Sequence, residues 1–244
     1  MEILGIDVGG SGIKGAPVNV ATGALTADRF RLKTPKGAEP EPVAGVIAEI
    51  VKHFDWSGPV GIGFPAPIKH GIVKLAANIS PAWIGINADD FLTKATGCDV
   101  TVGNDADVAG LAEMAFGAGA GQMGTVIMIT LGTGIGSAIF NGGRLVPNTE
   151  FGHIEIDGHD AETRASDAAR QREELSWKKY AHRLNRYLLQ MEKLFWPDLF
   201  IIGGGISKLS ENYIPLLTVE ARVIPANFLN EAGIVGAALA ARQN

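Results

Sequence analysis

The chain holds a single cysteine, Cys98, in 244 residues. One thiol cannot close an intrachain disulfide, nor build a metal centre that needs several cysteines. Long apolar runs are missing too: none reaches the ~18–20 residues that a membrane-crossing helix requires. A basic excess is also absent, because 26 Asp and Glu outweigh 21 Lys and Arg and leave a net charge of −5. A nucleic-acid binder would normally carry surplus positive charge. No low-complexity segment or flexible linker interrupts the sequence. Met1 leads directly into an apolar stretch without the layout of a signal peptide, so a soluble, cytoplasmic protein is expected.

What abounds is glycine, at 32 residues, in a chain that is 46% hydrophobic. That suits an α/β protein with many strand-to-helix turns, and the length suffices for one large domain or two small ones. The first glycine cluster organises the rest. Ile3–Val8 is an apolar strand carrying Asp7 near its end, Gly9-Gly10-Ser11-Gly12 is a turn, and Ile13–Ala16 returns as a strand. Such glycines are expected to reach positive φ and to bring backbone N–H groups close to a ligand. Several N–H groups converging on one concavity make an anion nest. Asp7 could hold a metal ion or its water beside that nest, and Ser11 and Lys14 add a hydroxyl and a cation. A tight hairpin whose glycines serve geometry alone is the plainer alternative.

Ile127–Phe140 repeats the design around Gly132-Thr133-Gly134. A third run, Gly203-Gly204-Gly205, follows the apolar stretch Leu199–Ile202 and should open a helix. Two matching hairpins more than a hundred residues apart predict a duplicated domain with a phosphate clamped between the halves, not a short-period array.

Between these landmarks, Leu25–Lys33 reads as a third strand, Val43–Phe54 as a helix, and Val60–Phe64 as a short buried strand. The irregular stretch 65–85 offers Asn78 and Trp83 as side chains that could face a small polar ligand, or serve as plain surface and packing. Helices are expected at Ala88–Thr96 and Ala106–Phe116, with a strand at Asp99–Gly103. Asn104-Asp105 at that strand-to-helix junction suits an N-cap, or a carboxylate facing a cleft. The loop Pro147–Glu162 concentrates Glu150, His153 and Glu162. Helices follow at Ala161–Arg170 and Trp177–Phe195, a strand at Pro197–Ile202, partly helical chain at Ile206–Leu217, and a closing helix at Glu231–Ala241. The span from Thr163 to Lys193 carries eight basic residues against four acids. That face is either simply solvated, with i,i+4 pairs such as Glu174–Lys178, or a track for a polyanion.

Taken together, five stretches resemble the ROK family of sugar kinases: Asp7–Lys14, Gly103–Ala106, Leu131–Gly136, Glu150–His153 and Gly203–Gly205. Each is weak alone, and all five in this order are specific. Asn78–Gly85 and His153–Glu162 look like the branch that phosphorylates glucose or mannose with polyphosphate or ATP. The resemblance implies an α/β actin-like ATPase (ribonuclease H-like) fold: two similar α/β domains with a cleft between them. Residues 1–104 would form the smaller domain, closed by helix 231–244, and 105–230 the larger. It implies phosphoryl transfer from inorganic polyphosphate or ATP to the 6-hydroxyl of glucose, with Asp105 as the general base. Asn78, Asn104, Asp105, Glu150, His153 and Glu162 would bind the hexose. Asp7, Gly9, Gly10, Ser11, Lys14, Gly132, Thr133, Gly134 and Gly203–Gly205 would hold phosphates or nucleotide, with Mg²⁺ near Asp7. A homodimer is usual in the family. Many members carry a Cys-rich zinc motif after the Glu-x-Gly-His element; this chain has none, so no zinc site is expected and His153 is left for a sugar hydroxyl. Phe151 stands where Leu is usual. The rival readings are a kinase for mannose or an N-acetylhexosamine, and an actin-like ATPase without a sugar substrate. A sugar-responsive repressor would need a helix-turn-helix ahead of the first hairpin, where only Met1-Glu2 stand.

Overall fold

The computed structural model describes residues 1–242; the last two residues of the expected closing segment, 243 and 244, lie outside them. The chain divides into two compact units, one of Met1–Ala112 with the segment from Glu231 on, the other of Glu113–Asn230.

In the first unit, β1 (Glu2–Val8) and β2 (Ile13–Asn19) pair antiparallel, with Asp7 opposite Lys14. Two short strands, β3 (Ala24–Leu25) and β4 (Phe30–Leu32), both pair with β2. They replace the single strand expected over Leu25–Lys33: Thr26 turns its N–H back to the Pro17 carbonyl, and the chain leaves the ladder before rejoining it at Phe30. Next come α1 (Pro40–His53), β5 (Val60–Phe64), the small hairpin of β6 (Ile68–Lys69) and β7 (Ile72–Val73), then α2 (Ala88–Thr96), β8 (Val100–Asn104) and α3 (Asp105–Phe116). Helix α2 is capped by Asn87, whose side chain accepts from Asp90 N–H, and it ends at Gly97 with φ 72°. The sheet order is β3-β2-β1-β5-β8, with β5 and β8 parallel to β1.

Alternation along β1 sorts its side chains. Leu4, Ile6 and Val8 join Val43, Ile47 and Ile50 of α1 in one buried cluster. On the other face, a Cβ on Gly5 would lie 2.0 Å from the Ile234 carbonyl oxygen, and one on Gly61 of β5 1.8 Å from that of Ala237. Missing side chains therefore let the closing helix, Ala232–Arg242, rest its backbone against the sheet. Trp83 is fully buried, donates its indole N–H to the Ala38 carbonyl at 2.9 Å, and packs edge-on against Phe64. It belongs to the core and faces no ligand.

The second unit runs β9 (Thr125–Leu131), β10 (Ile135–Asn141), β11 (Arg144–Val146), β12 (Glu155–Ile156), β13 (His159–Asp160), α4 (Glu162–Ala165), α5 (Asp167–Arg172), α6 (Trp177–Phe195), β14 (Leu199–Gly203) and β15 (Arg222–Pro225). Its main sheet is β11-β10-β9-β14-β15, antiparallel at the first two pairings and parallel at the last two. Strand for strand this repeats the order and directions of the first unit's sheet. Tyr180, Leu184, Tyr187, Leu188 and Met191, at helical spacing on α6, are buried against Ile127, Ile129 and Leu131 of β9. The helix expected over Ala161–Arg170 is two helices. Ser166 is extended (φ −69°, ψ 161°) and its hydroxyl accepts from Ala169 N–H, so it ends α4 and caps α5. Glu174 lies before the Ser176 cap of α6 with φ 48°, so the expected pair with Lys178 has no helical geometry to form it. Among the described residues no helix is long and apolar enough to cross a membrane.

Candidate active site

The first turn is held by its own backbone, with Gly9 N–H donating to the Gly12 carbonyl at 3.1 Å. None of Gly9, Gly10 and Gly12 has positive φ, and neither have Gly132 and Gly134. The expectation of left-handed turn glycines is therefore wrong; at Gly12 what glycine supplies is space. A Cβ on Gly12 would lie 2.4 Å from Arg31 Nε, while Gly10 is open. Arg31, which the sequence did not single out, donates to the Ser11 carbonyl at 2.9 Å and to its hydroxyl at 3.3 Å. Lys14 is paired with Asp7 at 2.9 Å. Asp7 also lies against the first turn of the closing helix, since a Cβ on Gly233 would come within 2.6 Å of its Cγ. A helix N-terminus favours a carboxylate. With Oδ2 on Lys14, Oδ1 remains for a cation. One carboxylate oxygen suits Mg²⁺, which keeps several waters and takes other ligands from phosphates.

At the β8–α3 junction Asn104 is the cap: its Oδ1 accepts from Ala106 N–H at 2.9 Å and Asp107 N–H at 3.1 Å, and the residue is 5% exposed. Asp105 follows as the first residue of α3, half-buried, with Oδ1 accepting from Ala106 N–H at 2.8 Å. Asn78 is exposed.

In the second unit Gly132 and Thr133 are exposed at the turn, and Gly132 N–H donates to the Gly134 carbonyl at 3.1 Å. Glu162, the first residue of α4, reaches over this turn and accepts from Ile135 N–H at 3.2 Å. A Cβ on Gly134 would stand 2.3 Å from that carboxylate oxygen. The third glycine run meets the same hairpin: Gly204 (φ 84°) has no room for a Cβ beside the Leu131 carbonyl, and Gly205 is exposed and open. Gly203 is buried, with Met128 where its Cβ would be, so it serves packing. The run opens a helix as expected, of the 3-10 type, over Gly205–Asn212.

Glu150 is placed by a residue that sequence reasoning missed. Buried Ser137 on β10 donates to the Thr149 carbonyl at 2.7 Å and accepts from Phe151 N–H at 3.0 Å, pinning the chain on both sides of Glu150. Burial lifts the Glu150 carboxyl above the ordinary carboxylate range, the negative charge of Glu162 adds to this, and His153 opposes it. A second missed residue, Asp160, takes Nδ1 of His153 at 3.0 Å. That bond holds the imidazole above its ordinary value; burial opposes it, and the charges of Glu162, Asp160 and Glu150 reinforce it. His153, Asp160 and Glu162 each bring one donor atom within 4.8 Å of the others. The cluster thus offers carboxylate acceptors and an oriented imidazole to hydroxyl groups, which is the chemistry of polyol binding.

Residues 3–167 match the ROK family. The chain belongs to the ROK family. It is 49% identical to the polyphosphate glucokinase of Mycobacterium tuberculosis (strain CDC 1551 / Oshkosh), over 97% of this chain and 90% of that protein. Among solved structures, the inorganic polyphosphate/ATP-glucomannokinase from Arthrobacter sp. strain KM superposes with a TM-score of 0.96 at 51% identity, covering 100% of this chain and 99% of that one. A ROK family glucokinase from Streptomyces griseus, solved with glucose and AMPPNP, gives 0.84 at 26% identity, covering 100% of both chains. The architecture of this ROK chain is the actin-like ATPase fold.

Proposed function

We infer that this protein is a phosphotransferase that moves a phosphoryl group from inorganic polyphosphate or ATP to the 6-hydroxyl of glucose. The near full-length likeness to kinases named for these substrates supports the reading. The observation that carries it is the grouping of Glu150, His153 and Glu162 beside a glycine turn, hydroxyl acceptors next to backbone suited to phosphate.

In this reading Asp105 accepts the proton of the hexose 6-hydroxyl as that oxygen bonds to phosphorus. The bridging P–O bond breaks, leaving ADP or a polyphosphate one unit shorter. Its place on the first turn of α3 favours the ionised carboxylate. Glu150, His153 and Glu162 take ring hydroxyls, Asn104 fixes the cap from which Asp105 projects, and the turns at Gly9–Gly12 and Gly132–Gly134 offer N–H groups to phosphate oxygens. Mg²⁺ beside Asp7 would neutralise charge on the donor. A site built of hydroxyl acceptors rejects analogues lacking a hydroxyl by large factors, because the acceptors are left unpaired. Donor consumption measured with and without glucose tests this assignment. Loss of polyphosphate or ATP should depend on the sugar, and sugar-independent hydrolysis at the same rate would instead make the protein a bare ATPase.

A further inference from the structure

A cavity of about 210 Å³ opens in the second unit between the β12–β13 hairpin, α4 and α6. Its lining carries three guanidinium groups, Arg164, Arg183 and Arg186, together with His159 and His182. Two carboxylates share it, and both are engaged: Asp157 with Arg186, and Asp160 with His153. Arg183 is held by Glu173 at 2.6 Å, whereas Arg164 has no carboxylate partner among the described residues. Tyr187 also lines the cavity; it is 1% exposed, and its hydroxyl has no hydrogen-bond partner among the described residues. Burial pushes that phenol well above its ordinary value, so it stays a donor. That hydroxyl is shut off from solvent, so the groups that can meet a ligand in the cavity are the guanidinium groups.

A second cavity of about 390 Å³ shares Ile156, Asp157 and Arg186 with the first and is otherwise lined by Glu155, Leu189, Gln190 and Lys193. Arg164, in the first, is two residues along α4 from Glu162, which bonds the Gly132–Gly134 turn. We propose that these adjoining cavities are a subsite for the phosphoryl groups of an oligophosphate chain, gripped by Arg164 and Arg186. Guanidinium forks match phosphate oxygens bidentately, and a chain of several phosphates outbids Asp157 for Arg186 where a single ion would not. This deepens the donor reading given above and rests on it.

The test uses the full protein and the double variant Arg164→Gln/Arg186→Gln, with thermal melts confirming that it folds. With long-chain polyphosphate as donor, KM should rise tenfold or more and its salt dependence should flatten, while kcat and the KM for ATP stay within twofold. Calorimetry without sugar should show tripolyphosphate binding the wild type and losing affinity in the variant, with orthophosphate at the same concentration competing weakly. A polyphosphate KM that moves no more than that for ATP, or tripolyphosphate binding unchanged by the substitutions, overturns the proposal. Orthophosphate binding as tightly as the chain also overturns it, in favour of a single-ion site. If the wild type makes no glucose 6-phosphate from polyphosphate, the donor reading fails, and the tripolyphosphate titration still decides the subsite.

Discussion

Replacing Asp105 with Asn separates chemistry from folding, because the structure shares out the bonds at the head of α3 unevenly. Ala106 N–H lies 2.8 Å from Asp105 Oδ1 and 2.9 Å from Asn104 Oδ1. Asn104 also holds Asp107 N–H, so the cap survives the loss of the Asp105 carboxylate. Asp105→Asn should therefore cost much less than the ~1 kcal/mol of a lost cap. Asn104→Ala, which removes both capping bonds, should incur that cost and lower Tm by about 2–4 °C in a chain of this size. Turnover should behave in the opposite way. A general base contributes about 10²–10⁴ in rate, or roughly 2.7–5.5 kcal/mol of barrier. Steady-state rates at saturating hexose and donor, paired with thermal melts of each variant, give both quantities. Asp105→Asn turning over within tenfold of the wild type would refute the base assignment, as would a melt shift as large as that of Asn104→Ala.

Gly134→Ala should push the Glu162 carboxylate off Ile135 N–H, a charge-assisted bond worth about 1.5–3 kcal/mol. Hexose kcat/KM should fall tenfold or more, and combining it with Glu162→Gln should add little; additive losses would mean that the glycine acts elsewhere. Asp160 raises the His153 value above its ordinary 6.5, so stability from this pair is fully present below about pH 6.5 and is lost as pH rises through the raised folded value. Denaturation midpoints of Asp160→Asn should thus fall below wild type more at pH 6 than at pH 9, and an equal gap at both would contradict the pairing. Gly236→Ala would set a Cβ 1.5 Å from the Val108 carbonyl oxygen, a backbone atom that cannot swing aside. A loss of about 3 kcal/mol follows from such overpacking, read as a Tm about 6–12 °C lower.

Much of this was legible from residue order, because both hairpins announce themselves as apolar runs around Gly-rich turns and α6 keeps helical spacing from Trp177 to Phe195. What escaped notice depends on contacts between distant residues. Nothing local marks Asp160 rather than its neighbours as the partner of His153, or Ser137 as the anchor of Glu150. Arg31 reaches Ser11 only because β4 folds back beside β2. Trp83 looked available to a ligand in an irregular stretch, yet Phe64 and Phe91 enclose it. The break at Ser166 did carry a signal, a capping residue three before Ala169, hidden inside an otherwise helical pattern. The glycine turns misled in a different way: at Gly12 and Gly134 the residue type was right and its reason was close approach, not handedness.

The most direct measurement follows glucose 6-phosphate formation with nucleotide-free polyphosphate, then with ATP, on glucose and on mannose, for the wild type and Asp105→Asn. The account predicts product from glucose with one donor or both, matched one for one by phosphoryl groups lost from the donor and nearly abolished in the variant. Donor breakdown that yields inorganic phosphate with no sugar phosphate would contradict it.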